Sequence, residues 1–448
     1  MKHPLLIIFI FITVSCTVAQ LPDHNTYLIA NLDQHNTYSA LWGYTSPEGR
    51  LYAILGCDSG TAFVDLTDSS NVHEVDFVSG VPSLYREMKT YSHYAYVVSE
   101  GTNSRLQIID LQYLPDSVSL STTFSFSGYT KSHAISQSGP YLYLSGSNSP
   151  NQGVQILDLS DPIEPIAKGN FNTLYVHDCR INNDTVWACN ILNHRVTIIS
   201  AIDKDSPYQI NSFFTPNGAP HNCALSRDRN YVYITHENLD PGKLDIYDVQ
   251  DLSDITYVGD WQPTGITTSV THNIEVYGDY GIIAHYTAGV RILDLKNPAL
   301  PVEIAWFDTR PQDNSTSYEG CWAVYMFPNG KIIASDISNG LFVIKSTVIT
   351  GVNKFSNTEV INNYSLRQNY PNPFNPSTSI DFQLEKSGNI SLKIYDARGR
   401  LVSTLINGFR TAGDHSVKFN ALNLPSGIYF YELVAKDFSK VMKMVVLK

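Results

Sequence analysis

Four histidines recur in one short sequence context, and they are the residues of this chain whose type and spacing best suit chemistry. They are His133 in "SHAIS", His177 in "VHDCRI", His221 in "PHNCALS" and His272 in "THNIEVY", at spacings of 44, 44 and 51 residues. Neutral imidazole is a ligand for zinc, copper and iron, so several imidazoles meeting at one point would form a site for a divalent transition metal. Such a meeting requires a fold that places equivalent positions of successive units side by side.

A repeated strand supplies that fold. An apolar strand that ends in aspartate returns as "TAFVDLTD", "LQIIDLQ", "VQILDLSD", "LDIYDVQD" and "VRILDLKNP", and related segments, "RVTIISAID" and "GLFVIKST", complete the series. Seven units of about 45 residues match the length of four-stranded propeller blades. The last unit shows only three strands, so we expect "TYLIANL" at 26–32 to supply its fourth and to close the ring.

The propeller arrangement predicts where the polar residues lie. The first strand of each blade lines the central channel, so the four histidines are expected at one end of it. The second strand returns to the same face, and we expect further ligands or supporting groups there. The residues at these strand ends are Glu100, His236, Glu237, His285 and Asp336, and we add three from first strands, Arg86, Glu87 and Asp178.

The histidines also have a purely structural interpretation. A histidine at the start of a strand can cap a turn or bond a neighbouring blade, and repeats share such residues by descent. An architectural role should, however, be needed in all seven blades, whereas the histidine occurs in four consecutive ones. Arg86 and Glu87 have a similar alternative, a buried ion pair between blades.

The cysteines leave a disulfide open. Five follow the amino-terminal segment, an odd number, so at least one stays free or pairs between molecules. Cys179 and Cys189 lie on two adjacent strands near one hairpin, and a disulfide between them is chemically allowed in an exported protein. A register that differs by one residue would separate them.

With these segments in view, residues from about 36 to 347 resemble the choice-of-anchor B family, which is built from LVIVD-type propeller repeats. The matching pieces are "LWGYTSPEGRLYAILGCDSGTAFVDLTD", "REMKTYSHYAYVVSE", "GVQILDLSDP" and "VHDCRI". The resemblance implies a seven-bladed propeller displayed at a cell surface and implies no assigned reaction.

The two ends of the chain differ from the repeats. Residues 1–19 read as a secretory signal peptide, followed by the propeller at 20–347, a polar linker at 348–365 and a small Ig-like β-sandwich at 366–448. In this last part "YPNPFNPST", "IYDARGRLV" and "LPSGIYFYEL" resemble the C-terminal sorting domain of type IX secretion substrates. That resemblance implies the type IX machinery as a partner, export through the periplasm, and a final place outside the cell or on the outer-membrane surface.

Composition narrows the function further. The net charge is −12 and no basic run occurs, so nucleic acid is not an expected partner. After the signal peptide no apolar run approaches the roughly 18 residues of a spanning helix, so no transmembrane segment is expected in the mature chain. Two functions remain: an extracellular binding module for a protein or glycan ligand, or a metal-dependent enzyme, such as an oxidase, lyase or hydrolase, with a histidine-lined site.

Overall fold

The structure is a computed structural model. It describes residues 22–148, 152–182, 184–238, 242–313, 315–349, 364–366, 368–369, 371–384, 388–410, 413–436 and 438–448. The predicted signal peptide and most of the predicted linker therefore lie outside the described residues. No helix within the described ranges is long and apolar enough to cross a membrane.

Seven antiparallel sheets form the blades of a propeller. Blade 1 consists of β3 (Tyr38–Thr45), β4 (Leu51–Cys57), β5 (Gly60–Asp65) and β6 (His73–Ser79), and blade 2 of β7 (Arg86–Tyr91), β8 (Tyr94–Ser99), β9 (Leu106–Asp110) and β10 (Ser119–Phe124). Blade 3 consists of β11 (Ala134–Ser138), β12 (Tyr141–Ser145), β13 (Val154–Asp158) and β14 (Ile166–Phe171), and blade 4 of β15 (Asp178–Asn182), β16 (Thr185–Asn190), β17 (Arg195–Ser200) and β18 (Tyr208–Phe214). Blade 5 consists of β19 (Pro220–Leu225), β20 (Tyr231–His236), β21 (Leu244–Asp248) and β22 (Thr256–Trp261). Blade 6 contains β23 (Asn273–Tyr277), β24 (Tyr280–Ala284), β25 (Val290–Asp294) and β26 (Val302–Phe307), and blade 7 contains β27 (Cys321–Met326), β28 (Lys331–Asp336) and β29 (Gly340–Ser346).

The blades close into a ring. The first strands contact one another in the order β3, β7, β11, β15, β19, β23 and β27, and β27 contacts β3 again. The amino-terminal segment contributes to the last two blades: β1 (Asp23–His24) pairs with β26 as a fifth strand of blade 6, and β2 (Thr26–Leu32) pairs with β29 as the fourth strand of blade 7. The seven-bladed propeller predicted from the repeat is therefore the fold that the structure has.

The recurring aspartate has a structural explanation. Its carboxylate accepts a hydrogen bond from the backbone N–H two residues further on, at 2.8 Å for Asp65, 2.9 Å for Asp110 and 2.8 Å for Asp158. The same bond measures 3.0 Å at Asp248 and 2.8 Å at Asp294. Such Asx turns bend the chain at the end of the third strand and start the connection to the fourth. The repeat signature is thus a turn, and the strand before it supplies the core.

Apolar cores lie between neighbouring blades. The boundary of blades 3 and 4 buries Tyr143 and Cys179, and the boundary of blades 4 and 5 buries Cys189 and Tyr247. The second and third strands are buried on both faces, as in "TVWACN" of β16, whereas the outer strands are largely half-exposed or exposed. The stack of buried blades holds the first strands, and hence the channel lining, in fixed positions.

The carboxyl-terminal region forms a separate β-sandwich of two sheets. One sheet has the order β30 (Ser365–Leu366), β31 (Ser377–Leu384), β34 (Gly413–Asn420); the other has the order β33 (Leu401–Arg410), β32 (Gly388–Asp396), β35 (Gly427–Ala435), β36 (Phe438–Val446). In β31 every second residue is buried, which is the pattern of a strand with one face on a core. The core between the sheets includes Phe382, Leu392 and Tyr431.

Candidate ligand site at the mouth of the channel

The four histidines occupy equivalent places at the start of four inner strands. His133, His177 and His272 each precede a strand by one residue, and their backbone N–H groups donate to carbonyls of the second strand at 3.1, 2.9 and 3.0 Å. His221 lies within β19, where a bulge between Pro220 and Asn222 shifts the register. These backbone bonds bring all four imidazoles to one end of the channel.

The imidazoles are part of a closed ring of side chains. Adjacent histidine rings lie 4.1, 4.3 and 4.2 Å apart between centroids, in chain order. Trp322 continues the series 4.8 Å from His272, and Tyr85 closes it, 5.7 Å from Trp322 and 5.4 Å from His133. We call this ring the aromatic belt; its members are Tyr85, His133, His177, His221, His272 and Trp322.

Backbone carbonyls fix the orientation of two of the rings. Nδ1 of His221 donates to the carbonyl of His272 at 3.1 Å, and Nδ1 of His272 donates to the carbonyl of Trp322 at 2.5 Å. A carbonyl only accepts hydrogen bonds, so Nδ1 of each ring carries a proton and Nε2 is the ring nitrogen left for another partner. Histidines that bind metals commonly make this same bond with their other nitrogen.

Glu237 faces those free nitrogens. It follows the last residue of β20, and its carboxylate oxygens lie 3.6 Å from Nε2 of His221 and 4.0 Å from Nε2 of His272. The hydroxyl of Tyr286 donates to the same carboxylate at 2.5 Å and holds it in place. His177, His221 and Glu237 offer ligand atoms that all lie within 4.8 Å of one another. We call these three residues the His–Glu cluster.

His177 and His272 are held in the neutral form. Burial lowers the pKa of His272 well below its ordinary value, and the neighbouring His221 lowers it further. Burial does the same to the pKa of His177, assisted by His221, His133 and His272. Nδ1 of His177 faces the backbone of His221 but, among the described residues, makes no hydrogen bond of good geometry.

His133 differs from the other three. Its Nδ1 forms an ion pair with Glu100 at 2.8 Å. Burial alone would lower the pKa of His133, but the hydrogen bond to Glu100 and the charge of Glu100 raise it above its ordinary value. The hydrogen bond with His133 likewise lowers the pKa of Glu100. The ligand atoms that lie together come from His177, His221 and Glu237, so His133 belongs to the belt and not to the His–Glu cluster.

Two of the predicted supporting residues lie deeper in the channel. Glu87 pairs with Lys89 at 2.9 Å, and Asp178 accepts a hydrogen bond from the Asn222 amide at 2.5 Å. Together with a third pair, Arg180–Glu275 at 2.9 Å, they line a narrow chamber to which all seven inner strands contribute. We call these charged side chains the ionic layer. It gives this part of the channel a polar lining.

Four further predicted residues do not reach the belt. Arg86 donates to the carbonyls of Cys57 and Val81 at 3.1 and 2.8 Å, and the expected Arg86–Glu87 ion pair is wrong because adjacent residues of a strand point to opposite faces. His236 bonds Asp245 at 2.9 Å inside blade 5.

The remaining two of these four are held by local loops. His285 bonds the Ser269 hydroxyl at 3.0 Å, and Asp336 accepts hydrogen bonds from Thr309 at 2.6 Å and from the Ser338 backbone N–H at 3.0 Å. The structure thus gives all four residues structural partners away from the mouth.

The predicted Cys179–Cys189 disulfide is wrong. Cys179 lies opposite Ala188, and Cys189 lies opposite Asp178, so the two thiols project from opposite faces of blade 4. They belong to different cores, on the boundaries with blades 3 and 5. All five cysteines in the described residues are free thiols in this structure.

Sequence reasoning missed Tyr85 and Tyr286. Tyr85 stands one residue before β7, the same place that His133 and His177 hold before their strands. Aligning the strands by their first residue would have found it, whereas the prediction used the next two residues. Tyr286 carries no such signal, because its role comes from the path of the connection between β24 and β25.

Comparison with family models agrees with both parts of the chain. The LVIVD repeat matches residues 127–173 and 270–309, and the secretion system C-terminal sorting domain matches residues 368–447. The sorting domain assigns the chain to the proteins exported to the cell surface or the extracellular space. The broader choice-of-anchor B assignment stays a prediction, and a comparison with curated proteins gave no significant match.

Solved structures with similar folds include PorZ, an essential bacterial surface component of the type IX secretion system of Porphyromonas gingivalis. It is 14% identical with a TM-score of 0.46, over 93% of this chain and 60% of PorZ, so this chain spans about three fifths of that protein. Putative 6-phosphogluconolactonases from Bacteroides fragilis and Bacteroides uniformis are 11% and 12% identical, with TM-scores of 0.48 and 0.49. These matches cover 67% of this chain, and they cover 88% and 89% of the two lactonase chains.

Proposed function

We propose that the protein is an exported propeller that binds an extracellular ligand at the mouth of its channel, on the aromatic belt. The observation that carries this proposal is the closed belt itself, in which six aromatic or imidazole rings contact one another around the end of the channel. The sorting domain delivers this surface to the outside of the cell, with the type IX machinery as its partner.

The exposed members of the mouth suit a protein or glycan ligand. Tyr85 is 39% exposed and Tyr318, which stacks edge-on against Tyr286 at 5.5 Å, is 42% exposed. Both offer flat apolar faces with a polar tip, the combination that favours tyrosine at binding surfaces. Glu100 and Glu237 stand beside them as acceptors for the hydroxyl or N–H groups of a ligand. The rigid blades keep these groups in place before the ligand arrives, which lowers the cost of binding.

A binding screen with matched variants tests the proposal. Purified protein is applied to an array of extracellular polysaccharides and peptides, beside the double variant Y85A/Y318A and the control Y27A/Y113A, which removes two exposed tyrosines elsewhere. We expect at least one probe to lose about tenfold in affinity with the first variant, a loss of about 1.4 kcal/mol, and none with the control. Equal binding by both variants would contradict a site at the mouth.

A metal-dependent function is the second candidate, and the His–Glu cluster favours it. Two imidazole nitrogens and a carboxylate are donors that suit zinc, copper or iron, and Nε2 of His272 is available as a fourth. When bound, such a metal would supply a Lewis acid for oxidase, lyase or hydrolase chemistry. The residues of this chain contribute the orientation: carbonyls hold the Nδ1 protons of His221 and His272, and Tyr286 holds Glu237.

The donors fit a metal with a modest adjustment. Ligand atoms around zinc lie about 2.0–2.2 Å from the ion, so donors now up to 4.8 Å apart must draw together by roughly an ångström. Glu237 is 18% exposed through its side chain, so a ligand at the mouth can reach the cluster.

Elemental analysis separates the two candidates. For the metal centre we expect a near-stoichiometric transition metal in protein purified without chelator, lost in H177A/H221A and retained in H73A, which removes an exposed histidine on β6. Absence of metal after incubation with zinc, copper and iron salts, together with a melting temperature that chelator leaves unchanged, would remove the metal candidate. The ligand screen would still decide the binding function.

A further inference from the structure

Two buried cysteines meet at the boundary between blades 4 and 5. Cys189 lies on β16 and Cys223 on β19, and both belong to the apolar core of that boundary, where neither is more than 1% exposed. The Cys223 thiol donates to the carbonyl of Trp187 at 3.6 Å, so its hydrogen points into blade 4. The Cys223 thiol is also one of the groups that raise the pKa of the Cys189 thiol, after burial.

The register explains why both thiols point into the same boundary. Cys189 lies opposite Asp178, so the two side chains share one face of blade 4. The Asp178 carboxylate on that face accepts a hydrogen bond from Asn222 of blade 5, the residue before Cys223. The pairing of the strands therefore directs Cys189 toward blade 5, independently of the contact between the sulfur atoms.

The other described cysteines have no such neighbour. Cys57 belongs to the core between blades 7 and 1, Cys321 to the core between blades 6 and 7, and Cys179 to the core between blades 3 and 4. Cys189 and Cys223 are thus the one pair among the five described cysteines that shares a core. The odd number of cysteines is accounted for by one pair and three isolated thiols.

We infer that Cys189 and Cys223 form a disulfide that joins blades 4 and 5 in the exported protein. The sorting domain takes the chain out of the reducing cytosol, where disulfides are rare, into compartments where they persist. The inference rests on export and on the packing of the blades, and it does not depend on which ligand the mouth binds.

The reaction is a thiol–disulfide exchange with an oxidising protein disulfide of the periplasm. One cysteine thiolate attacks that disulfide and forms a mixed disulfide; the second thiolate then attacks the sulfur of the first and releases the oxidant as a dithiol. The two cysteines together lose two protons and two electrons, and the oxidant gains both electrons. Burial raises the pKa of the Cys189 thiol, so the exchange takes place during folding, before the boundary closes.

The bond would reinforce the His–Glu cluster. The carbonyl of Cys189 accepts the backbone N–H of His177 at 2.9 Å, and Cys223 stands two residues after His221 on the same strand. A covalent link between Cys189 and Cys223 therefore joins the strand that bonds the backbone of His177 to the strand that carries His221. The spacing between blades 4 and 5 at the mouth becomes independent of small opening motions of the ring.

Alkylation of the exported full-length protein tests the inference. The protein is denatured with excess iodoacetamide and without reductant, digested, and analysed by mass spectrometry. We expect Cys57, Cys179 and Cys321 to be alkylated, and the peptides of the other two cysteines to appear joined and lighter by two hydrogen atoms. A sample reduced before alkylation is the control, in which all five cysteines react. Complete alkylation of Cys189 and Cys223 without reductant would overturn the inference, as would a link from either residue to a third cysteine.

Single variants provide a second measurement. In C189A we expect Cys223 to become fully alkylated without reductant, and in C179A we expect the joined peptides to persist. Reductant should lower the melting temperature of the wild type and of C179A by several degrees, and it should leave that of C189A unchanged. If C189A does not accumulate, the wild-type mass measurement decides alone. Equal responses of C189A and C179A to reductant would count against the bond.

Discussion

The neutral state of the buried belt histidines makes a quantitative prediction about acid stability. His272 is 2% exposed and its pKa lies well below the ordinary value of about 6.5, to which it returns in the unfolded chain. Below pH 6.5 the unfolded chain therefore binds a proton that the folded chain does not. The stabilisation that comes with a neutral His272 is fully present above pH 6.5 and is lost as the pH falls.

The size of the effect follows from one proton. A difference of one bound proton changes the free energy of unfolding by about 1.4 kcal/mol per pH unit. Averaged between pH 6 and pH 5, roughly nine tenths of the unfolded chains carry a proton on this imidazole. The free energy of unfolding therefore falls by about 1.2 kcal/mol over this interval. His177 contributes a similar amount, since its pKa is lowered in the same direction. The variant H272Q keeps an amide that can donate to the Trp322 carbonyl, and it removes one of these protons.

Urea unfolding of chelator-treated protein at pH 6 and pH 5 provides the assay, and the comparison of variants isolates one residue from the other titrating groups. We expect the decrease in unfolding free energy between the two pH values to be about 1.2 kcal/mol smaller in H272Q than in the wild type.

The matched control is H133Q. The pKa of His133 is raised, so its stabilisation is fully present below pH 6.5 and is lost as the pH rises through its folded pKa. Folded and unfolded chains are both largely protonated at His133 between pH 6 and pH 5, and H133Q should change the acid slope by only about 0.2 kcal/mol. An H272Q slope equal to that of the wild type, or an equal effect of both variants, would refute the assignment of neutral and charged histidines.

Three further predictions concern the belt and the ring. E100Q removes the charge that offsets burial, so the pKa of His133 should fall below its ordinary value in an NMR titration of the imidazole; a pKa that stays raised would contradict the ion pair. G43A places a methyl group against the ring of buried Tyr325 and should destabilise the fold by about 1–3 kcal/mol in urea unfolding, whereas G259A, where the added carbon meets nothing within 4 Å, should not. Deletion of β1 and β2 exposes the edge of β29 and should produce aggregates in size-exclusion chromatography, while deletion of β1 alone should leave a monomer; equal behaviour of the two deletions would argue against closure by β2.

The fold could be predicted from the sequence because the repeat reflects a packing arrangement that every blade shares. An apolar third strand followed by an Asx turn recurs wherever a blade must bury two faces and then turn outward, as at Asp65 and Asp294. The same period placed the four histidines on equivalent strands. What the period cannot supply is the exact residue that opens each strand, since that depends on the loop before it; Tyr85 was missed for this reason.

The supporting residues were predicted less well because the end of a strand determines where a residue lies but not where its side chain points. Glu100 and Glu237 both follow the last residue of a second strand, and both reach a belt histidine. His285 holds the equivalent place after β24, but the preceding loop presents the Ser269 hydroxyl to its ring and turns it away from the mouth. The cysteine pairing failed through a single-residue register difference, which reverses the face of every side chain on a strand. Contacts of this kind depend on loops and rotamers that no period encodes.

For His221 and His272 the geometry of the belt makes a structural role and a ligand-facing role compatible in the same ring. Nδ1 of His221 bonds the backbone of the next blade, and Nδ1 of His272 bonds the one after that, so one nitrogen of each ring serves the assembly of the propeller. The same bond orients each ring so that Nε2 faces Glu237. Both bonds need a following blade, because each of these two rings uses a backbone carbonyl of the next blade, and the series stops where Trp322 supplies a carbonyl but no further imidazole. Two of the four belt histidines therefore combine a structural bond at one ring nitrogen with a second nitrogen that faces Glu237.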